Sequence, residues 1–288
     1  MRFAVVAHRR TDVNEALAGA ADALGVTAAV LAPREALRSL GPGDVALARL
    51  DVRETLDGID SGTLELERLA AAGVEVLNRP GALAAAHDKL LTARALRLAG
   101  LPHPHTWLVA CGMPFPAPEL PLVLKPRFGS WGRDVVLCRT SAELEATLAG
   151  LAFRGWFREH GAVVQELVPP QGWDLRVVVA AGRVVGAARR VAAPGEWRTN
   201  VSLGGRSEPM APPPLARKLA IAAAAAIRAD LVGVDLLPTR TGFVVAEING
   251  AVDFRPWYAL EVEDVYEQAV FELLRSVNDR LAVAQVGA

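Results

Sequence analysis

The chain has 288 residues, 52% hydrophobic and 22% charged, with 31 Lys and Arg against 32 Asp and Glu, which suits about two domains of roughly 150 residues each and supplies no strong field for nucleic acid or an anionic membrane surface. Its longest apolar run, Leu219 to Ile227, is nine residues, well short of the ~20 that a membrane span needs, and the five apolar residues before His8 are too few for a signal-peptide core. Two cysteines, Cys111 and Cys138, and five scattered histidines offer neither a disulfide framework nor a zinc cluster, so a cytoplasmic protein with no membrane or nucleic-acid partner is expected.

"RFAVVAH", "VNEALAGAADALG" and "VTAAVLA" read as strand, helix and strand, a βαβ opening that implies a parallel sheet. "DVALARL", the helix "GTLELERLAAAG" and "VEVLNRP" continue the alternation to about residue 82. "HRRTD" follows the first strand where a dinucleotide site would carry G-x-G-x-x-G, so such a site is disfavoured there. "GALAAAHDKLLTARALRLAG" reads as one helix with Gly100 at its C′ position, and Pro102 and Pro104 prevent its continuation. "CGMPFPAPELP" reads as a loop. From Leu122 onward strands and hairpins dominate: "LVLKPRF", "RDVVLCR", "AVVQELV", "LRVVVAAGRVVGAARRV" and "LVGVDLLPTRTGFVVAEI". Helices are predicted at "SAELEATLAGL", "PLARKLAIAAAAAIRADL" and "VEDVYEQAVFELLRSVNDRLA". The fold class is therefore α/β followed by mostly antiparallel α+β, with divisions expected at 1–82, 83–160 and 161–288.

The last hairpin raises a question, because an apolar strand carries Glu247, Asn249 and Asp253 at alternate positions, and an unpaired buried carboxylate is costly. With a turn around Arg240 to Gly242, antiparallel pairing sets Asp235 opposite Glu247, with Asn249 on the same face. Two opposed carboxylates need a cation between them, and three oxygen donors suit Mg²⁺ shared with phosphate oxygens. The competing reading is an edge strand whose acids face solvent.

Three further stretches carry chemistry. In "LVLKPRFGSWGRDVVL", Lys125 precedes Gly129, Ser130 and Gly132; glycines let backbone N–H groups approach phosphate, and a strand rather than a helix follows, so a flap within a hairpin fits better than a P-loop. In "VVQELVPPQGWDLRVVV", a strand ending at Gln165 and Glu166 could present its backbone to a purine edge, although paired prolines often just end a strand. "RRVAAPGEWRTNVSLGG" places Arg189, Arg190, Arg198 and Asn200 around a loop, and arginines there suit phosphate or carboxylate oxygens or simply solvent.

In this order, with "NRPGALAAAHDK" and "AGLPHPHT" preceding them, the motifs resemble the ATP-grasp fold. Their spacing is similar to that of the RimK-type carboxylate-amine ligases, above all the branch acting on the amino-group carrier protein of lysine and arginine biosynthesis. "VLKPRFGSWGR" is similar to that branch's form of the flap. The resemblance implies that Lys89 and Lys125 contact nucleotide phosphates beneath the Gly129, Ser130 and Gly132 flap, and that Gln165, Glu166 and Leu167 line the adenine site. It implies Asp174 near the nucleotide, Arg198, Thr199 and Asn200 at the phosphates and reaction centre, and Arg190 steadying an acyl phosphate. Asp235, Glu247 and Asn249 match the metal ligands. Thr199 replaces the family's serine but keeps the hydroxyl, while "EINGAVDF" lacks the proline of E-V-N-x-x-P-G, which disfavours a ribosomal-protein acceptor.

The resemblance implies an ATP-dependent ligase that uses ATP and Mg²⁺, or Mn²⁺ in its place, to join glutamate or a similar amino acid to a carboxylate of a small molecule, peptide or carrier protein. It also implies self-association into a homo-oligomer. The alternatives are a kinase of the same fold that stops at phosphoryl transfer, and a non-catalytic nucleotide-binding module. His8, Arg9, Arg10, Arg49, Trp131, Asp253 and Arg255 are candidate selectivity residues at the cleft, and Trp131 and Trp197 sit in loops placed to close over substrate.

Overall fold

The computed structural model describes residues 1–113, 118–260 and 264–286; part of the expected proline-rich loop and the first residues of the expected last helix lie outside them. In chain order β1 (Phe3–Val6), α1 (Asp12–Ala23), β2 (Ala28–Leu31), α2 (Pro33–Ser39), β3 (Val45–Ala48), α3 (Thr63–Ala71) and β4 (Glu75–Leu77) build a parallel sheet of order β2-β1-β3-β4. β1 and β3 are buried along their whole length, as strands covered on both faces must be. Thr11 caps α1 by accepting the Asn14 N–H, and Asp12 and Glu15 in the first turn complement the helix dipole. Sequence patterning missed α2, a seven-residue helix opened by Pro33, in which Glu35 accepts the Ala32 N–H.

The single helix expected before Gly100 is two: α4 (Pro80–His87) and α5 (Lys89–Leu98). Asp88 breaks them apart. Its backbone is extended, its carboxylate accepts the N–H groups of Leu90 and Leu91 that open α5, and Arg127 grips the same carboxylate at 2.6 to 2.9 Å. A capping acid thus outcompetes continuation of the helix. Gly100 has φ of +67° just past the end of α5, the left-handed stop expected of it.

β5 (Thr106–Val109), β6 (Leu122–Pro126), β7 (Val136–Cys138), α6 (Ser141–Leu151), α7 (Gly155–His160) and β8 (Ala162–Glu166) follow. The four strands form an antiparallel sheet of order β5-β8-β6-β7, packed on Leu144, Leu151, Trp156 and Phe157 of the two helices. β8, which begins just after the expected division at residue 160, pairs with β5 and β6 and so belongs to this sheet.

The remaining elements are β9 (Trp173–Ala180), β10 (Arg183–Val191), β11 (Arg206–Pro209), α8 (Pro214–Ala226), β12 (Leu231–Thr239), β13 (Gly242–Asn249) and α9 (Val265–Val286). Their sheet has the order β11-β10-β9-β12-β13 and is antiparallel throughout. One face buries Leu175, Val177, Val179, Val232, Val234, Leu236 and Ile248 against the alanine-rich α8. The opposite face is divided. Val178, Ala180 and Leu231 lie under Val270, Leu273 and Val277 of α9, in a core that also takes in Phe3, Val5 and Leu17. Further along, the same face carries Asp174, Arg176, Arg190, Asp235, Glu247 and Asn249.

Candidate active site

The β12–β13 register sets Asp235 opposite Glu247 and Gly233 opposite Asn249, as the sequence predicts, but by a different route. The turn holds two residues, Arg240 and Thr241, because Thr239 pairs with Gly242. Ala246 is left over as a bulge between the Leu236–Val245 and Asp235–Glu247 pairs. Were Ala246 taken into the ladder instead, Asp235 would face it, and Glu247 and Asn249 would turn to the α8 side.

Around Asp235 the side chains form a closed ionic network. Arg176, paired with Asp235 across β9 and β12, holds it through Nε at 2.8 Å and Nη2 at 2.9 Å. Arg190 reaches it at 2.9 Å and also clasps Asp174, its cross-strand partner, whose carboxylate accepts the Thr199 hydroxyl as well. Asn249 donates through Nδ2 to Asp235 at 3.3 Å. Burial alone would raise the Asp235 pKa, but Arg176 and Arg190 outweigh it and hold the carboxyl well below the usual range. Burial likewise opposes charge on Arg190, and the carboxylates of Asp235 and Asp174 overcome it. Sequence reading placed Arg176 in a motif without giving it a role; its link to Asp235 spans 59 residues and belongs to a pair of strands that no local turn joins.

Lys89, the first residue of α5, is buried and donates to Gly129 O at 2.6 Å while its ammonium lies 3.0 Å from Glu247. It thereby ties the start of the flap to the acidic strand. Burial pushes Lys125 on β6 down to about 8, against the pull of Glu247 and helped by the nearby Lys89 charge. The flap between β6 and β7 is met from across the cleft by the loop after β10. Arg198 donates to Gly132 O at 3.2 Å and Val135 O at 3.3 Å, and Ser202 donates to Trp131 O at 3.0 Å. Gly132 has φ of +71°, and a Cβ there would stand 2.9 Å from Asn200 Oδ1, so only glycine fits this approach. Glu196 forks the Arg198 guanidinium, and that bonding lowers the Glu196 pKa to about 2.

These residues enclose a cleft of about 1080 Å³, mouth included, between the central and five-stranded sheets. Lys89, Lys125, Gly129, Ser130, Gly132, Gln165, Glu166, Leu167, Asp174, Arg190, Arg198, Thr199, Asn200, Asp235 and Glu247 all line it, and Asn249 does not. The strand-end segment differs from expectation in one respect. The N–H groups of Glu166 and Leu167 are engaged by His105 O and Pro121 O, so those two donors serve the sheet rather than a purine edge.

A second cleft, about 2060 Å³ with its mouth, adjoins the first and shares Ser130, Arg190, Asn200, Asp235 and Glu247 with it. Asn249 lines this second cleft, as do His8, Arg9, Arg49, Trp131, Asp253 and Arg255. Arg10 does not; it forms an ion pair with Glu15 on α1, whose carboxylate lies within its reach. Trp197 lines the first cleft rather than the second.

Asp235, Glu247 and Asn249 offer only oxygen donors, the chemistry of a hard divalent cation. Among the described residues no group of three or more His, Cys, Asp or Glu side chains is placed to hold a metal. The donor set therefore fits a cation shared with a substrate's phosphate oxygens rather than one caged by protein alone.

Comparison with known proteins agrees with this architecture. The chain is 34% identical over 198 residues, 66% of its length, to a Pseudomonas paraeruginosa protein named "Probable alpha-L-glutamate ligase", and spans 64% of that protein. It is 29% identical over 224 residues to glutamate–LysW ligase ArgX of Sulfurisphaera tokodaii, covering 76% of this chain and 77% of that one. The RimK domain ATP-grasp protein of Sphaerobacter thermophilus superposes with a TM-score of 0.65 over 95% of this chain and 100% of that one, at 23% identity, and so shares its fold. Residues 113–261 match the RimK-like ATP-grasp domain, and this chain belongs to that family.

Proposed function

We propose that the protein is an ATP-dependent carboxylate-amine ligase, with ATP in the first cleft and the substrates to be joined in the second. The observation that carries this reading is the shared wall: Ser130, Arg190, Asn200, Asp235 and Glu247 line both clefts. A γ-phosphoryl group over that wall would face a carboxylate entering from the other side.

In this reaction a carboxylate oxygen attacks the γ-phosphorus and ADP leaves, giving an acyl phosphate. The amine nitrogen then attacks the acyl carbon, phosphate departs, and the nitrogen loses a proton. Phosphoryl transfer asks the protein for positioning and charge neutralisation rather than a nucleophile. Lys89 and Lys125 supply positive charge to the phosphates, and the flap from Gly129 to Gly132 covers them. Gln165, Glu166 and Leu167 border the adenine, while Arg198, Thr199 and Asn200 stand at the reaction centre. Arg190, fixed between Asp174 and Asp235, steadies the acyl phosphate. Asp235, Glu247 and Asn249 would hold Mg²⁺, which neutralises phosphate charge.

The amino acid in this reading is glutamate, the substrate named for both curated relatives above. Its acceptor is the end of a peptide or carrier protein, because the Sulfurisphaera relative is named for LysW as its acceptor. The test is ADP release by purified protein with Mg-ATP, L-glutamate and glutamate-ended peptides, with mass spectrometry of the products. ADP that requires both acid and amine, with a product heavier by one glutamate residue, is expected. ADP without amine would instead identify a kinase, and ATP binding without ADP release a binding module.

A further inference from the structure

Five arginines line the second cleft: Arg9, Arg49, Arg176, Arg190 and Arg255. Four have acidic partners. Arg9 pairs with Asp51, Arg176 with Asp235, Arg190 with Asp174 and Asp235, and Arg255 with Asp12 and Asp253. Arg49 is the exception among the described residues.

Arg49 follows β3 and is only 5% exposed. Its Nε donates to Asn14 Oδ1 at 2.6 Å and its Nη2 to Val252 O at 2.7 Å, both neutral acceptors. Its Nη1 is buried and has no partner. Burial pushes the group down to about 10, with Asp51 and Asp253 acting at a distance to raise it, so it remains charged at neutral pH. A buried guanidinium without an anion is costly, as is an unmet buried donor, and such a group calls for a partner to complete it. Two short bonds already fix the plane of this guanidinium, so little freedom is lost when a third partner arrives.

We propose that Arg49 is a specificity-determining residue that receives a substrate carboxylate in the second cleft. This rests on the ligase reading above and deepens it. Arg49 does not line the nucleotide cleft, so the carboxylate it takes is the one retained in the product, not the one that meets the γ-phosphoryl group. That carboxylate belongs either to the incoming amino acid or to the acceptor's terminal residue, and the two sources are separable by experiment.

Binding would be measured on the full chain with a non-hydrolysable Mg-ATP analogue, by calorimetry or by the fluorescence of Trp131 and Trp257, which line the same cleft. The probes are L-glutamate, its α-amide and γ-amide, a glutamate-ended peptide, and that peptide's carboxamides. R49M is expected to weaken one acid probe about tenfold to a hundredfold, the effect of losing a charge-assisted hydrogen bond. Affinity for the nucleotide analogue should stay within about twofold. The decisive readout is coupling: the amide that removes the recognised carboxylate should bind weakly to the wild type and lose little more in R49M. The probe that shows coupling, amino acid or peptide, identifies the source.

Equal losses for acids and amides would overturn the proposal, as would failure of both acids to bind the wild type. Should R49M fail to fold, R49K and the wild-type amide series decide: amides that bind the wild type as tightly as the acids overturn it. The ligase reading stands or falls separately on wild-type product formation. Carboxylate coupling without turnover would keep the Arg49 site and remove the ligase.

Discussion

One face of the five-stranded sheet is built as two surfaces from the same strands. At one end Val178, Ala180 and Leu231 meet α9 and the parallel sheet in a continuous apolar core. At the other, two residues along β9 from Val178 and four along β12 from Leu231, Arg176 and Asp235 begin a field of charges that lines the second cleft. The side-chain period is identical in both; only the cover differs. The apolar end holds the molecule together, since each buried aliphatic side chain contributes about 1.5–3 kcal/mol. The charged end does little for cohesion, because buried ion pairs roughly repay their own desolvation. Stability and chemistry are thus separated along the strands rather than between domains.

That separation can be broken from either end. The largest effect is expected at the charged end: E247A should lower ATP-dependent turnover by about 10³ or more while the chain remains folded, because Glu247 is partly exposed and, among the described residues, forms its one ion pair with Lys89. Turnover near that of the wild type would remove Glu247 from the metal set. At the apolar end, L273A should cost about 2–5 kcal/mol of stability, read from a denaturant melt, with nucleotide affinity unchanged. Leu273 is fully buried beneath the sheet and touches neither cleft. A parallel loss of nucleotide affinity would mean that the two ends are not independent.

A smaller effect sharpens the electrostatic side. Burial lowers Lys125 from 10.5 to about 8, so in the free protein the ammonium is present below that pH and lost above it. Bound phosphate favours the charged form and raises the pKa again. Nucleotide binding therefore takes up a proton at high pH, and affinity should fall about fivefold as pH rises from 8 to 9, approach tenfold per unit above that, and level off once the pH exceeds the bound-state pKa. K125M should be weaker at pH 7 and lack this slope. A wild-type affinity that is flat from pH 7 to 9 would count against Lys125 as a phosphate contact.

Much of the fold and the candidate site was legible in the sequence, for physical reasons that differ by element. Strands buried on both faces read as apolar runs, and the parallel sheet followed from their alternation with helices. The flap of the first cleft was legible in a short motif, Lys125 with Gly129, Ser130 and Gly132, whereas Lys89, Asp174 and Thr199 were expected at the site only through the resemblance to a known family. Asp88 was not, since one acid can cap a helix or ride inside one, and only Arg127 from a distant hairpin decides between them. β11, "RSEP", is a short polar edge strand with no apolar period to reveal it. The Arg176–Asp235 pair depends on which strands become neighbours, a tertiary fact. Arg49 was legible as a residue facing a cleft, whereas its unmet Nη1 was visible only once Asn14 and Val252 had taken the other nitrogens.

The bulge at Ala246 has a consequence for reading relatives of this chain. Asp235 and Glu247 share a face because a two-residue turn and one supernumerary residue together give the hairpin the right parity. One residue more between these acids, uncompensated by a longer turn or a second bulge, would exchange the whole donor row for the hydrophobic row behind it, whereas loss of Ala246 would close the bulge and leave Asp235 opposite Glu247. Within this hairpin a one-residue alignment gap is therefore read by its sign: a deletion at Ala246 straightens the ladder and keeps the donors where they are, while an insertion re-addresses every side chain that follows as far as the end of the strand.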